Sequence, residues 1–209
     1  ISIGSGSQSS AVRVGTRSGE TILAAHGIAL HGSTGTSNAA AQIGFYGDGS
    51  SVSGDIALHL RESGLTLAAG STGSYAQVGH GGLGRTGSTV TADIDISFCA
   101  PGAVVLDAGS GNGAYTQIGH GGHSSDGNQE GNISLLGADS VSLNTPETSS
   151  GEYRYAHIGH GGGQCTGDRV GDIKVDVIGS LALNGGGHGI NSYAQIGHGG
   201  SRAGFNPSV

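Results

Sequence analysis

The residues with the most potential for chemistry are histidines that recur at one place in a repeated octapeptide. The motif Tyr-x-x-(Ile/Val)-Gly-His-Gly-Gly occurs four times, and its histidines are His80, His120, His160 and His198. Imidazole nitrogens bind transition metals, and imidazole titrates near neutral pH. Such a series predicts either a metal site or a stack of hydrogen-bonded rings, depending on how the repeat places the rings.

The repeat runs through the whole chain, which we take as one array over residues 1–209. The full octapeptide copies and two weaker upstream copies recur with a period near 35–40 residues over about five periods. The full copies span 75–82, 115–122, 155–162 and 193–200, and the weaker ones span 11–15 and 40–47. Each copy is followed by two short runs of alternating apolar residues, such as Ile173, Val175 and Val177. Self-similarity at such a period indicates a repeat architecture.

The alternation within these runs predicts β-strands with one buried face. No segment shows the spacing of an amphipathic helix, and glycines interrupt every candidate, so we expect almost no helix. One coil cannot close a core alone and must be covered by the coils above and below it. The sequence therefore predicts an all-β parallel β-solenoid (β-helix) with about three short strands per period. A sandwich, a propeller or two coils per period are weaker alternatives, the last because residues 123–131 are polar.

Composition excludes several classes of protein. Glycine supplies 45 of 209 residues and only 11 % are charged, so a thick enzyme-like core is not expected. The net charge of −7 lacks the basic stripe that a nucleic-acid binder needs. No apolar run approaches the length of a membrane span, and residue 1 does not open a basic-then-apolar signal-peptide pattern, so we expect any targeting signal to lie outside these residues. Because the chain opens at Ile1 within a repeat, we expect an interior segment or a processed product.

Residues 172–185 carry the pattern Asp-Ile-x-Val-x-Val, a short bend, and Ser-Leu-x-Leu-x-Gly. With its Gly/Ser/Asn loops, this pattern resembles the filamentous-haemagglutinin-like exoproteins and related giant autotransporter passengers of bacterial surfaces. The resemblance covers essentially the whole chain. It implies a right-handed parallel β-helix, export across the outer membrane, and a role in adhesion or in surface fibres.

Stacked coils turn the other octapeptide positions into columns as well. We expect an amide ladder, with side chains hydrogen-bonded along the axis, from Gln42, Gln77, Gln117 and Gln195, with His157 standing in once. We expect an aromatic column, with hydroxyls free at the rim, from Tyr75, Tyr115, Tyr155 and Tyr193. Both are interpreted as structural, with a surface for sugars, another filament or a partner as the alternative reading of the tyrosines.

The histidine column is also interpreted as structural. Two charges at the coil spacing repel by about 1 kcal/mol in water and more in a less polar medium, so neutral rings are favoured. We therefore expect histidine pKa values below 6.5 and a fold that weakens in acid. A zinc site needs four ligands around one point, whereas a column supplies two. The candidate ligands for adventitious or functional metal binding are His80, His120, His157, His160 and His198.

Other polar residues give weaker signals. Loop residues Asp48, Asp126 and Asp168 offer oxygen ligands for weak Ca²⁺ binding, although solvated acids are the favoured interpretation. The acids are scattered rather than paired as glycoside hydrolysis requires, so we expect no enzyme activity and no required cofactor. Cys99 and Cys165 fall in different parts of the coil and are expected to be free thiols.

These features predict a mechanical and adhesive segment of an extracellular bacterial surface rod. The expected contacts are neighbouring repeats, cell surfaces, glycans or matrix, made through the Tyr/Gln face and through loops such as 144–154. Nucleic acids and membrane insertion are not expected. The first alternative is a filament subunit that stacks end to end through uncapped strand edges. The second alternative is a solenoid whose histidine ladder binds divalent metal.

Overall fold

A computed structural model describes residues 1–4, 11–35, 37–47, 49–87, 89–147, 151–186 and 189–202. Every pairing between its sixteen strands is parallel, and the described ranges contain no helix. The strands form three sheets that run along one axis, because each strand pairs with its equivalents in the neighbouring periods, and the strands at the ends of a sheet pair on one side only. The predicted all-β parallel β-solenoid is confirmed. We call each stacked copy of the coil a rung.

The octapeptides form a six-stranded sheet in unbroken register. Tyr115 pairs with Tyr75 on one side and with Tyr155 on the other, and Ile118 pairs with Val78 and Ile158. The strands of this sheet are β2 (Ala11–Val14), β4 (Ala40–Ile43), β6 (Tyr75–Val78), β10 (Tyr115–Ile118), β13 (Tyr155–Ile158) and β16 (Tyr193–Ile196). Equal positions of successive octapeptides are therefore direct neighbours along the axis.

The two alternating runs that follow each octapeptide form a second, seven-stranded sheet. Its strands are β1 (Ser2–Gly4), β3 (Thr21–His31), β5 (Ile56–Ala68), β8 (Ile94–Phe98), β9 (Ala103–Asp107), β12 (Ile133–Asn144) and β15 (Ile173–Asn184). We expected two strands per period here, but both runs are continuous in β3, β5, β12 and β15. The ladder passes the bend by a register shift, as between Leu136 and Ala138. Only β8 and β9 are separate, and Pro101 between them lacks the N–H that would continue the ladder.

A third sheet lies where the sequence showed only a polar loop. It consists of β7 (Val90–Thr91), β11 (Gln129–Glu130) and β14 (Arg169–Val170), and a bridge between Val52 and Val90 extends it by one rung. A two-residue strand is too short to show an alternating pattern. A typical period therefore contains three strands, as predicted. However, the two alternating runs form one long strand between them, and the short segment in the polar loop supplies the third.

The core fills the space between the sheets with one apolar side chain above another. Ile43, Val78, Ile118 and Ile158 occupy the fourth position of successive octapeptides and are fully buried. Burying one such side chain stabilises the fold by about 1.5–3 kcal/mol. Ile196, at the same position in the last octapeptide strand, is only partly buried. The side chains of this column are therefore fully buried only where a rung lies on both sides.

Candidate functional site

The four octapeptide histidines lie in one column parallel to the axis. The ring centroids of His80 and His120 are 5.1 Å apart, and the next two separations, to His160 and then to His198, are both 4.8 Å. Neighbouring planes differ by 5–14°. His80, His120 and His160 have no side-chain surface open to solvent. The in-register octapeptide strands position these rings, because each histidine follows its strand after a single glycine.

Both nitrogens of each ring have backbone partners. Nδ1 of His120 accepts the N–H of His80 at 3.0 Å, and Nδ1 of His160 accepts the N–H of His120 at 3.1 Å. On the other side of the ring, Nε2 of His120 donates to the carbonyl of Ala92 at 2.8 Å. The residues that accept from the other three rings are Gly54, Gly131 and Gly171. Each ring thus joins its own rung to the previous rung and to the end of the short third strand.

These partners determine the proton positions. A carbonyl oxygen only accepts, so Nε2 carries a proton, while Nδ1 must be bare to accept a backbone N–H. Burial lowers the pKa of His80 and, to about 4, the pKa of His160. Burial also holds the pKa of His120 well below its usual value, and the neighbouring imidazoles lower it further. The predicted direction is found, with burial rather than mutual repulsion as the larger cause.

The candidate metal ligands are not gathered around a point. Within the described ranges no group of three His, Cys, Asp or Glu side chains is placed to hold a metal ion. His157 occupies the glutamine position, and its Nε2 donates to the carbonyl of Gly197 at 2.5 Å. Burial lowers the pKa of His157 to about 4. The arrangement of these imidazoles favours hydrogen bonding over coordination, because the Nδ1 atoms of the column are already occupied.

The glutamines bond to backbone rather than to one another. Nε2 of Gln117 donates to the carbonyls of Gly159 and Gly161 in the next rung, at 2.9 and 2.6 Å. Gln77 and Gln42 make the same pair of bonds one and two rungs earlier, respectively. The predicted amide-to-amide ladder is therefore wrong. The amide nitrogens bond instead to the glycine carbonyls at the fifth and seventh octapeptide positions of the next rung. Gln195 bonds within its own rung, to Gly197 and His198.

The tyrosines stack face to face inside the protein. Ring centroids in the series Tyr75, Tyr115, Tyr155 and Tyr193 are 4.9, 4.7 and 5.0 Å apart. Tyr115 and Tyr155 are completely buried, and burial raises their pKa well above the usual value. The predicted free hydroxyls at a rim are wrong, and so is a Tyr/Gln face that contacts partners.

The glycine at position eight of the octapeptide leaves space for the buried tyrosine hydroxyl. A Cβ atom on Gly122 would lie 2.5 Å from the hydroxyl oxygen of Tyr115, and the equivalent glycines of the other full copies face their own tyrosines in the same way. The tyrosine hydroxyl therefore occupies the space that a side chain at position eight would need. The first and last residues of the motif are linked by packing.

The remaining candidates have local structural partners. Asp126 accepts from the Thr166 hydroxyl at 2.7 Å, and the N–H of Asp168 donates to Asn128 at 3.0 Å, while Asp48 lies outside the described residues. Cys99 is exposed, Cys165 is buried, and both are free thiols as expected.

The sequence did not indicate a surface groove between two sets of stacked turns. The residues that line it include Leu83, Asn112, His123, Glu152, Tyr153 and Gln164. Glu152 and Tyr153 belong to the loop 144–154, within which residues 148–150 are not described. Arg154 holds this loop, since its side chain donates to the carbonyls of Gly151 and Pro146 at 2.7 and 3.2 Å. Tyr153 precedes the octapeptide 155–162 by two residues, and no other copy has a tyrosine at this place. This was the one feature of the sequence that could have indicated the groove.

Comparisons with known proteins do not place the chain in a family. No family model, no curated protein and no solved structure matches it. Among the described residues there is no helix with the length and apolar character needed to cross a membrane.

Proposed function

We propose that this chain is a segment of an extracellular rod or fibre on a bacterial surface, of the filamentous-haemagglutinin-like kind, with a mechanical and adhesive role. The proposal rests on the direction in which the hydrogen bonds and ring contacts run. Strand ladders, glutamine amides and histidine rings all connect one rung to the next along a single axis.

Such bonding suits a stiff spacer. In a solenoid each rung contacts only its neighbours, so length increases by repetition, at about 4.8 Å per rung. The side chains that recur most often in the sequence bond or stack with neighbouring rungs and are not available for other contacts. Contact with other surfaces is then made by the turns and loops, which differ from rung to rung and occur many times along the rod.

The location of the protein on its source cells tests this proposal. Antibodies raised against the chain should label intact cells before permeabilisation, and a protease added outside should remove the label. Deleting the segment should reduce attachment of the cells to surfaces. Labelling that requires permeabilised cells, or attachment unchanged by the deletion, would overturn the proposal.

End-to-end assembly of short subunits is a second candidate, in which copies would meet through the apolar side chains of the rung that contains Leu181. Leu181 is 51 % exposed, whereas Val141 at the same position one rung earlier is 1 % exposed. If copies stack through this end, Leu181→Asp should abolish concentration-dependent assembly in sedimentation. Ala182→Asp, whose equivalent Ser142 is partly exposed, should leave assembly intact. A monomer at every concentration would reject this candidate and leave the rod proposal standing.

A further inference from the structure

We propose that the groove between the two sets of stacked turns binds a neutral, extended oligosaccharide that runs along the solenoid axis. This inference rests on the proposed adhesive role and names a contact site for it. The groove takes its residues from turns far apart in sequence, such as Leu83, Asn112 and Gln164.

The walls of the groove are two columns of turns that are hydrogen-bonded from rung to rung. On one side, the N–H groups of Gly73 and Gly113 each donate at 2.8 Å to the carbonyl of the next turn. On the other side, Gly84 donates to His123 at 2.9 Å and Ser124 to Gly163 at 2.8 Å. A ligand that enters this groove meets walls that are already ordered, so little conformational entropy is lost on binding. The repeat of the walls along the axis suits a ligand that is itself a chain of similar units.

Tyr153 has a left-handed backbone conformation, which is unfavourable for a residue with a bulky side chain. The equivalent turn position is Asn38, Gly73, Gly113 and Asn191 in the other rungs, with φ between 58° and 65°, and Tyr153 has φ 55°. Glycine and asparagine tolerate this left-handed conformation, whereas a bulky residue there is strained. Strain of this kind tends to gather at functional sites. The ring lies against His123, with centroids 5.2 Å apart and planes tilted by 51°.

The polar groups of the groove suit hydroxyls better than anions. Among the described residues that line the groove, Glu152 alone has a formal charge at neutral pH, because burial lowers the pKa of His123 and keeps it neutral. Phosphate and sulfate groups are normally recognised by Arg or Lys, and neither occurs in the part of the lining that the structure describes. Sugar hydroxyls pair well with the amides of Asn112 and Gln164 and with the carboxylate of Glu152.

The same groove also offers apolar surface. Leu83 and the rings of His123 and Tyr153 are all partly exposed there. The C–H faces of a pyranose ring pack against aromatic and aliphatic surface, while its hydroxyls remain free to bond at the edges. A neutral oligosaccharide satisfies both parts of the lining, which a purely apolar ligand does not.

The test uses the 209-residue chain and neutral oligosaccharides of six units, namely β-linked glucose, xylose, mannose and N-acetylglucosamine. Binding is measured by calorimetry, with sulfated and uronic-acid oligosaccharides as anionic probes. Tyr153→Gly removes the ring but suits the turn, so the thermal midpoint should stay the same or rise. The same change should weaken binding of the preferred neutral sugar at least tenfold. Asn191→Gly, at the equivalent turn position outside the groove, is the matched control and should bind like the parent.

Three results would overturn the inference. They are no binding of any neutral probe at millimolar concentration, equal binding by the parent and by Tyr153→Gly, or a preference for the anionic probes. None of these results alters where the protein lies on the cell, so failure here is distinguishable from failure of the proposed function.

Discussion

The backbone N–H of His120 donates to Nδ1 of His160, 3.1 Å away in the next rung. Since Nε2 of His160 donates to the carbonyl of Gly131, this ring accepts on one nitrogen and donates on the other. Protonation of Nδ1 of His160 would place its N–H opposite the backbone N–H of His120, and this hydrogen bond would be lost. The column is therefore built from neutral imidazoles of one tautomer, and its stability depends on pH.

Acid should destabilise the fold. The pKa values of His157 and His160 are about 4 in the folded protein, and about 6.5 is expected in the unfolded chain, so the unfolded state binds protons more tightly. The stabilisation is fully present above pH 6.5 and is lost progressively between pH 6.5 and 4. Each of these two residues accounts for a loss of about 3 kcal/mol over that range. Free energies of unfolding from urea titrations at pH 7.5, 5.5 and 4.5 measure the effect, and equal values at pH 7.5 and 5.5 would refute it.

Replacing Gln117 tests the bonds to the next rung. Gln117→Leu leaves the carbonyls of Gly159 and Gly161 without their side-chain donor, which should cost about 1–3 kcal/mol for each buried acceptor left unpaired. Gln117→His is the matched control, because His157 already makes the equivalent of the Gly159 bond, to Gly197 in the next rung, but not the equivalent of the Gly161 bond. Thermal unfolding at pH 7.5 should therefore show a smaller drop in the midpoint for the histidine variant than for the leucine variant. A leucine variant as stable as the parent would mean that these bonds contribute little.

Gly119 should not tolerate a methyl group. Its φ is +150°, and an added Cβ would overlap the carbonyl oxygen of Gly159 in the next rung. Because the obstacle is backbone, we expect Gly119→Ala to cost more than about 4 kcal/mol or to prevent folding. Gly185→Ala is the control, since nothing lies within 4 Å of its added Cβ. Circular dichroism and urea unfolding compare the two variants, and a folded Gly119→Ala variant of parental stability would contradict the packing described.

Divalent metals should not stabilise the histidine column. A metal bound at Nδ1 of His120 or His160 must displace a backbone N–H, leaving a buried donor unpaired at a cost of about 1–3 kcal/mol. We expect Ni²⁺ or Zn²⁺ at ten equivalents to leave the thermal midpoint at pH 7.5 unchanged, and untagged protein to pass through a nickel column. Retention on nickel that is lost in a His120→Gln variant would instead support the metal-binding alternative.

Repetition and alternation in the sequence were sufficient to predict the solenoid. The fourth octapeptide position predicted the buried Ile and Val column, and the shared register placed the tyrosines and histidines one above another. These inferences succeed because side-chain alternation in a strand is a local property, and because equal residues in stacked rungs become neighbours by symmetry. The direction of the pKa shift at His80, His120 and His160 was also predicted, although burial rather than repulsion between stacked rings is its larger cause.

Only the tertiary structure decided the partners of these columns. Gln117 faces glycine carbonyls of the next rung, His120 reaches Ala92 at the end of a two-residue strand, and Tyr115 lies over Gly122. The groove at Tyr153 likewise combines turns that the alternating pattern does not describe. Such contacts depend on how loops of different length return the chain to the next rung. Periodicity records which side of a strand is buried, but it does not record which backbone groups, 26 to 40 residues away, point toward a given side chain.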